Sequence, residues 1–184
     1  MGVEVDGEAV WVFGYGSLLW SPGFDPAETV RARLDGWRRR FCLWSIHWRG
    51  TPEAPGLVLA LDAEAGAACE GLALRLPAAE APAILAAIRA RELVSDAYEE
   101  RRLPLALADG RRVEALAYVS RPDHPQHADL APEDQARVIA RARGDRGPNR
   151  DYLRLTVERL RGLGIEDQEM EALLRAVEAH GSGA

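Results

Sequence analysis

Hydrophobic residues in the first two thirds of the chain fall in short apolar runs or at every second position, which is the spacing of a β-strand. In residues 36–48, for example, Trp37, Phe41 and Leu43 fall on one face. The same criteria predict about six strands, at residues 10–14, 36–48, 57–61, 71–76, 101–107 and 112–119. Two turns are predicted between them, at the turn-rich residues 62–66 and at Asp109-Gly110, a dipeptide typical of two-residue hairpins.

One helix interrupts the strands, because Ile84, Leu85 and Ile88 recur at helical spacing after a proline that suits a first turn. After residue 120 the pattern becomes helical, and three more helices are predicted, at residues 132–144, from a capping Asn149 onward and around residues 170–177. Strands first and helices afterwards indicate an α+β fold class, in one domain over residues 10–180. About six strands can close into a small barrel, but the pattern does not choose between a barrel and an open sheet.

The charge balance limits the classes of partner and of chemistry. Of the 184 residues, 29 are acidic and 23 are basic, so the net charge is -6. A protein that binds the phosphates of nucleic acid usually carries an excess of basic residues, so no nucleic-acid partner is expected. The 23 basic residues are all arginine, and the chain has no lysine. A P-loop and Schiff-base chemistry both need a lysine, so both mechanisms are excluded.

Cysteine spacing and hydropathy bear on the cellular compartment. Cys42 and Cys69 are far apart and form no C-x-x-C pair, so neither a zinc knuckle nor a redox pair is indicated. Residues 1–10 include three acidic residues and no basic one, which differs from a signal peptide. No apolar run approaches the ~20 residues that cross a bilayer. We therefore expect a cytoplasmic protein without a membrane partner.

The first predicted strand leads into Gly14-Tyr15-Gly16-Ser17. Two glycines around one aromatic residue permit close approach of the backbone and leave amide N–H groups that can point at an anion. The alternative is a tight turn that packs Tyr15. The segment lacks the third glycine of a dinucleotide-binding loop, and no G-x-S-x-G segment makes Ser17 a hydrolase nucleophile.

Two other groups of polar residues are candidates for chemistry. Glu92 closes an alanine-rich helix and is either an exposed helix-end residue or a functional carboxylate. His124 and His127 form an H-x-x-H pair that could ligate a metal, but no third ligand is apparent and the prolines around them indicate a loop. Glu99 and Glu100 stand beside arginines and predict a solvated charge cluster.

Taken in order along the chain, these segments resemble a known family. Residues 12–20, Val-Phe-Gly-Tyr-Gly-Ser-Leu-Leu-Trp, are similar to the signature that opens the ChaC-type γ-glutamylcyclotransferases. Arg91-Glu92 and then Ala97-Tyr98 resemble the block that carries the family's catalytic glutamate, with Ala97 in place of the usual glycine. Further similar segments lie at residues 38–41, 47–50, 55–56, 115–119, 132–133, 147 and 149–153. The resemblance covers about residues 10–160.

This resemblance implies a γ-glutamylcyclotransferase-like fold, a small mixed β-barrel with surrounding helices. The implied reaction cleaves glutathione, a small-molecule partner, into 5-oxoproline and cysteinylglycine. In it the substrate's own amine attacks, so no metal and no cofactor are needed. The implied site residues are Tyr15, Gly16, Ser17, Leu18 and Tyr152 for substrate binding and Glu92 as the catalytic acid and base.

Three alternatives stay open at this point. A cyclotransferase for other γ-glutamyl amines or amino acids would share residues 14–18, the glycine loop, and Glu92. A sensor without activity would bind γ-glutamyl compounds and leave them intact. A zinc hydrolase would use His124 and His127. The sequence predicts no oligomeric state.

Overall fold

The fold is described from a computed structural model, over residues 9–181. Most of the acidic amino-terminal segment therefore lies outside the described residues. Five strands form the main sheet, namely β1 (Trp11–Gly14), β2 (Glu28–Ser45), β3 (Gly56–Arg75), β4 (Tyr98–Leu107) and β5 (Arg112–Ser120). They close into a barrel in the order β1-β3-β2-β4-β5. The predicted α+β class and the barrel implied by the resemblance are both confirmed.

Neighbouring strands in this order run antiparallel, β3 and β5 share one further parallel pair at Leu61 and Val119, and the barrel closes through a parallel pairing of β1 with β5. In that pairing Trp11 of β1 lies opposite Ala115 of β5, and Val12 lies opposite Leu116. A parallel pair needs a long connection, and here the chain between β1 and β5 supplies the three intervening strands and a helix. Closure places β1, from which the glycine loop leads on, between β3 and β5.

The prediction of six strands was wrong because residues 57–61 and 71–76 belong to one strand, β3. Gly66 does adopt a positive φ of 83°, as the turn-rich residues around it suggested. On the paired strand β2, Gly36 has a φ of 82°, and the register shifts between Asp35 and Trp37. Both strands therefore bend together at a bulge, and the pairing continues beyond it instead of reversing.

The hairpin predicted at Asp109-Gly110 is confirmed. Gly110 has a φ of 91°, and its N–H donates to the Leu107 carbonyl at 3.0 Å. The Leu107 N–H in turn donates to the Arg111 carbonyl at 2.8 Å, which closes the turn. The residues on each side pair as β4 and β5, from Tyr98 opposite Ser120 to the tip. A glycine is required here because other residues rarely adopt this positive φ.

Four helices surround the barrel: α1 (Ala81–Glu92), α2 (Pro132–Arg141), α3 (Asn149–Gly162) and α4 (Gln168–Gly181). The helix predicted to end near residue 144 ends at Arg141, because Arg143–Gly144 (β6) pairs with Gly147–Pro148 (β7) in a small hairpin. All four helices contribute to one hydrophobic cluster with the barrel strands. None of the helices within residues 9–181 is long and apolar enough to cross a membrane.

Contrary to the prediction, Asn149 does not cap α3 with its side chain but connects the helix to the barrel. It is the first residue of α3 and is fully buried. Its side-chain oxygen accepts from the Leu57 N–H at 2.7 Å, and its side-chain NH₂ donates to the Leu57 carbonyl at 2.8 Å. These two bonds satisfy the backbone N–H and carbonyl of Leu57, as a neighbouring strand would. They also fix the start of α3, where Tyr152 lies, against the barrel.

Candidate active site

One cavity of about 280 Å³ brings together residues from distant parts of the chain. Its wall is formed by the glycine loop after β1, the end of β2 and the segment after it, the end of α1 and the segment before β4, and the start of α3. The residues predicted to bind substrate or to react all line this cavity: Tyr15, Gly16, Ser17, Leu18, Glu92 and Tyr152. It is therefore the candidate active site.

The glycine loop is held from both sides. The Tyr15 hydroxyl donates to the Tyr118 carbonyl at 2.5 Å, and the Tyr15 carbonyl accepts from Arg39 at 3.1 Å. Tyr15 is buried, as the tight-turn interpretation expected, and it still forms part of the cavity wall. Because both ends of the residue are bonded, the backbone that follows it has little freedom to move.

The amides after Tyr15 are free to bind a ligand. The chain makes a single 3-10 turn at Ser17–Leu19, in which the Leu19 N–H donates to the Gly16 carbonyl at 2.9 Å. The N–H groups of Gly16, Ser17 and Leu18 precede that first bond and donate to no group within the described chain. All three residues line the cavity, so hydrogen-bond donors are available in its wall.

The space around Gly16 favours a glycine, because the loop packs closely against α3 and β3 at this point. A Cβ placed on it would lie 3.1 Å from the Tyr152 hydroxyl and 3.6 Å from the Leu59 Cβ. The first distance is tighter than an ordinary van der Waals contact. The loop and α3 therefore approach each other so closely that only a glycine fits without a shift.

Glu92 is the last residue of α1, and its side chain is only 15 % exposed. The interpretation of Glu92 as an exposed helix-end residue is therefore wrong. Burial raises the pKa of the Glu92 carboxyl, and the positive charges of Arg91 and Arg146 partly offset that rise. A carboxylate with a raised pKa accepts a proton more readily than an exposed one, which suits a general base.

Arg91 connects the glutamate to the glycine loop. Its Nε lies 3.2 Å from Glu92 Oε1, one Nη donates to the Ser17 hydroxyl oxygen, and the other donates to the Ser21 carbonyl at 2.7 Å. A guanidinium has a rigid planar fork, so these contacts fix the loop and the carboxylate relative to each other. The sequence pattern indicated no role for Arg91 beyond its position next to Glu92.

Tyrosines form the polar but uncharged part of the wall. The Tyr98 hydroxyl donates to the Leu59 carbonyl at 2.6 Å. The Tyr152 hydroxyl donates to no protein group in residues 9–181, so its proton is available to a ligand. Burial, and then the nearby negative charge of Glu92, raises the pKa of the Tyr152 hydroxyl, and the pKa of Tyr98 is also raised, chiefly by burial. Both hydroxyls therefore keep their protons at neutral pH.

The outer part of the cavity carries residues to which the sequence analysis assigned no role in the site. Arg49 is buried, its Cζ lies 5.5 Å from the centre of the Tyr152 ring, and it donates to the Arg146 and Pro148 carbonyls at 2.8 and 3.1 Å. The Arg146 guanidinium lies over the ring of Trp48, 4.4 Å from its centre. These residues come from segments almost 100 positions apart, so no local pattern could indicate that they meet.

The two histidines considered as metal ligands make separate contacts. His124 Nδ1 accepts from the Gln126 N–H at 3.1 Å, whereas His127 Nε2 lies 3.2 Å from Asp62 Oδ1. The ligand atoms that do lie within 4.8 Å of one another belong to Cys42, Asp62 and His127. Asp62 also accepts from Arg40 and from the Ser120 hydroxyl. This carboxylate is thus committed to a hydrogen-bond network on the barrel wall.

The glutamates after Glu92 differ from each other. Glu99 is exposed and pairs with Arg101, which agrees with the predicted solvated charge cluster. The Glu100 side chain is only 20 % exposed, and it accepts from both ends of the Arg89 guanidinium and from the Tyr118 hydroxyl. For Glu100 the prediction was wrong, because the strand alternation of β4 turns it towards the helix.

The comparisons with known proteins concern the family and the fold of the whole chain. A family model described as ChaC-like protein matches residues 10–180. The glutathione-specific gamma-glutamylcyclotransferase of Escherichia coli is 37 % identical over 169 residues, which cover 91 % of this chain and 72 % of that protein. Gamma-glutamylcyclotransferase 2-3 of Arabidopsis thaliana is 34 % identical, covering 92 % of this chain and 88 % of the relative.

Among solved structures, a yeast gamma-glutamyl cyclotransferase specific to glutathione superposes with a TM-score of 0.85. Its sequence identity is 21 %, and the match covers 94 % of this chain and 97 % of the other. At that identity the match shows the shared barrel fold. The family model that matches residues 10–180, and the 37 % identity to the Escherichia coli relative, show that this chain belongs to the ChaC-like protein family.

Proposed function

We propose that this protein is a glutathione-specific γ-glutamylcyclotransferase, a lyase that releases 5-oxoproline and cysteinylglycine. The observation that carries the proposal is the placement of a buried carboxylate, Glu92, in the same cavity as the free amides of the glycine loop. The named activity of the relatives in Escherichia coli and yeast supports the choice of glutathione.

The reaction needs a base, because the substrate amine is an ammonium at neutral pH, with an ordinary pKa of about 8. Glu92 takes one proton from it, and burial makes this carboxylate a better acceptor. The freed amine nitrogen attacks the γ-carbonyl carbon of its own side chain and closes a five-membered ring. No protein nucleophile is involved, so correct orientation supplies much of the rate.

The ring closes with a negative charge on the carbonyl oxygen, and the bond to the cysteine nitrogen then breaks. Protonated Glu92 returns its proton to that departing nitrogen, so one carboxyl group acts as base and then as acid. The ring nitrogen, which carries two protons after the attack, gives one of them to the freed Glu92 carboxylate as the neutral lactam forms, and that proton leaves with the product amine. Water is not a reactant, because 5-oxoproline and cysteinylglycine together contain all the atoms of glutathione. The amides of Gly16, Ser17 and Leu18 donate to the α-carboxylate or to the developing oxyanion, where fixed dipoles act without reorganisation.

Tyr152 contributes a contact to the γ-glutamyl group in this proposal. Its hydroxyl has no protein acceptor within the described chain, lies close to Gly16 and keeps its proton because its pKa is raised. We assign the enzyme to the cytosol as one domain over residues 10–180. The two unpaired, buried cysteines fit a reducing compartment, and fractionation of cells that express a tagged chain tests this location.

The proposal is tested by incubating the purified protein with glutathione and measuring 5-oxoproline by chromatography. Release of 5-oxoproline and cysteinylglycine in equal amounts is expected. γ-Glutamyl-alanine and a γ-glutamylamine serve as side-by-side substrates, and both should give much lower kcat/KM values. A higher kcat/KM for either one would retain the cyclisation chemistry but overturn the choice of glutathione. Binding of glutathione without product would indicate a sensor.

A further inference from the structure

Two arginines of the described chain are buried, and only one of them forms an ion pair. Arg39 is 4 % exposed, pairs with Asp167 at 3.1 Å and also donates to backbone carbonyls. Arg49 is 6 % exposed, yet it forms no ion pair with any acidic residue between positions 9 and 181. Its contacts are two backbone carbonyls and the Tyr152 ring. A buried charge without a paired counter-ion is unfavourable, so an anion from outside the chain would stabilise it.

A second cation lies next to Arg49 at the mouth of the cavity. The Arg146 guanidinium makes no hydrogen bond or ion pair with another described residue and is held against Trp48 by stacking. Its backbone is fixed, because the Arg146 carbonyl accepts from Arg49 and the Arg146 N–H donates to the Trp48 carbonyl at 3.0 Å. The guanidinium is therefore positioned, with its N–H groups still available to a ligand.

These groups lie in order from the glycine loop to the mouth of the cavity. The Tyr152 hydroxyl lies near Gly16 in the glycine loop, while Arg49 lies over the Tyr152 ring and Arg146 lies beyond it on Trp48, which is 37 % exposed. If the γ-glutamyl group occupies the loop, the leaving peptide extends outward, by about 7 Å for two residues. Its carboxylate is the group that then reaches the arginines.

We propose that Trp48, Arg49 and Arg146 form a carboxylate subsite for the far end of the leaving peptide. This inference rests on the proposed function and adds a substrate class to it: γ-glutamyl peptides that end in a free carboxylate. Arg146 makes the contact, and Arg49 holds the hairpin that carries Arg146 and adds its own charge. A planar guanidinium matches a carboxylate in two parallel hydrogen bonds, which gives selectivity as well as affinity.

The test compares glutathione with its glycine monoethyl ester, which keeps the scissile amide and removes only the distant negative charge. A charge-assisted contact should lower kcat/KM for the ester by about 10- to 100-fold in the wild type. In Arg146→Gln the preference for glutathione over its ester should disappear, because KM for glutathione rises while kcat stays nearly unchanged. Arg146→Lys should recover part of the preference. Arg146 is exposed, so these variants are expected to fold.

Arg143→Gln is the matched control, because Arg143 is an exposed arginine of the same small hairpin and does not line the cavity. The Arg143→Gln variant should keep the full preference for glutathione over its ester. Equal kcat/KM values for glutathione and the ester in the wild type would overturn the subsite and leave the proposed function standing. An unchanged preference in Arg146→Gln would likewise overturn it. Absence of 5-oxoproline from glutathione itself would overturn the function and the subsite together.

Discussion

Replacement of Glu92 by glutamine separates the chemistry of this residue from its packing. Glutamine has the same size, and its side-chain oxygen can still accept from Arg91 Nε, which lies 3.2 Å from the carboxylate. The negative charge is lost, and with it the ability to take the ammonium proton. Loss of general acid–base catalysis should lower kcat by at least ~10²- to 10⁴-fold, which adds about 3 to 5 kcal/mol to the barrier. Substrate binding should persist, with at most a modest rise in Kd.

The same substitution should make the folded protein more stable near neutral pH. Burial raises the folded-state pKa of Glu92 above its unfolded value, so the folded protein binds this proton more tightly than the unfolded chain. Stability from this group is complete below the unfolded pKa of about 4.5 and is lost as the pH rises to the folded pKa. Each pKa unit corresponds to about 1.4 kcal/mol, and each kcal/mol to about 2–4 °C in Tm for a chain of this size.

The assay therefore has two readouts on one purified variant: 5-oxoproline release at saturating glutathione and thermal unfolding at pH 4 and pH 8. Glu99→Gln is the control, because Glu99 is an exposed carboxylate near Glu92 whose loss should change neither readout. Glu100 is unsuitable, since its removal would leave Arg89 and Tyr118 without their partner. Near wild-type turnover by a folded Glu92→Gln variant would refute the catalytic role, and a lower Tm at pH 8 would refute the electrostatic reasoning.

Three further predictions concern individual contacts. Gly16→Val should lower kcat/KM at least about tenfold with a smaller change in Tm, because its side chain would displace the Tyr152 hydroxyl. Unchanged kinetics would show that the loop is only a turn and does not bind the substrate. Asn149→Ala should cost roughly 2–4 kcal/mol in urea unfolding, because both polar groups of Leu57 lose their partner. The acid limb of kcat/KM should have its midpoint above pH 4.5 and vanish in Glu92→Gln, and a limb that persists would belong to another group.

Local patterns were sufficient for the elements that are defined by local chemistry. The hairpin at Asp109-Gly110 follows from a dipeptide that tolerates the required φ, and α1 follows from the spacing of Ile84, Leu85 and Ile88. The same local reasoning failed at Gly66. A glycine with a positive φ can reverse a chain or bend it, and here the partner strand decides between the two. That strand bends at its own Gly36, which lies thirty positions earlier.

The candidate site was only partly predictable for a related reason. The glycine loop is contiguous, so a sequence signature could indicate it. Arg49, Arg146 and Trp48 meet only because Asn149 fixes the start of α3 and the small hairpin before it returns to the segment after β2. Nothing in the neighbouring sequence of Arg146 distinguishes it from other exposed arginines. Its position follows from the closed barrel, which the hydrophobic pattern alone did not distinguish from an open sheet.

The burial of Glu92 and the charges around it act together. Burial alone would favour the protonated form, which cannot accept a proton from an ammonium group. Arg91 and Arg146 oppose this effect, so the carboxyl group keeps a raised pKa and still ionises. If Arg146 also binds the substrate carboxylate, its charge is partly neutralised on binding, and the basicity of Glu92 increases when the substrate is in place. Arg146→Gln should therefore shift the acid limb of kcat/KM to higher pH, whereas Arg143→Gln should leave it unmoved.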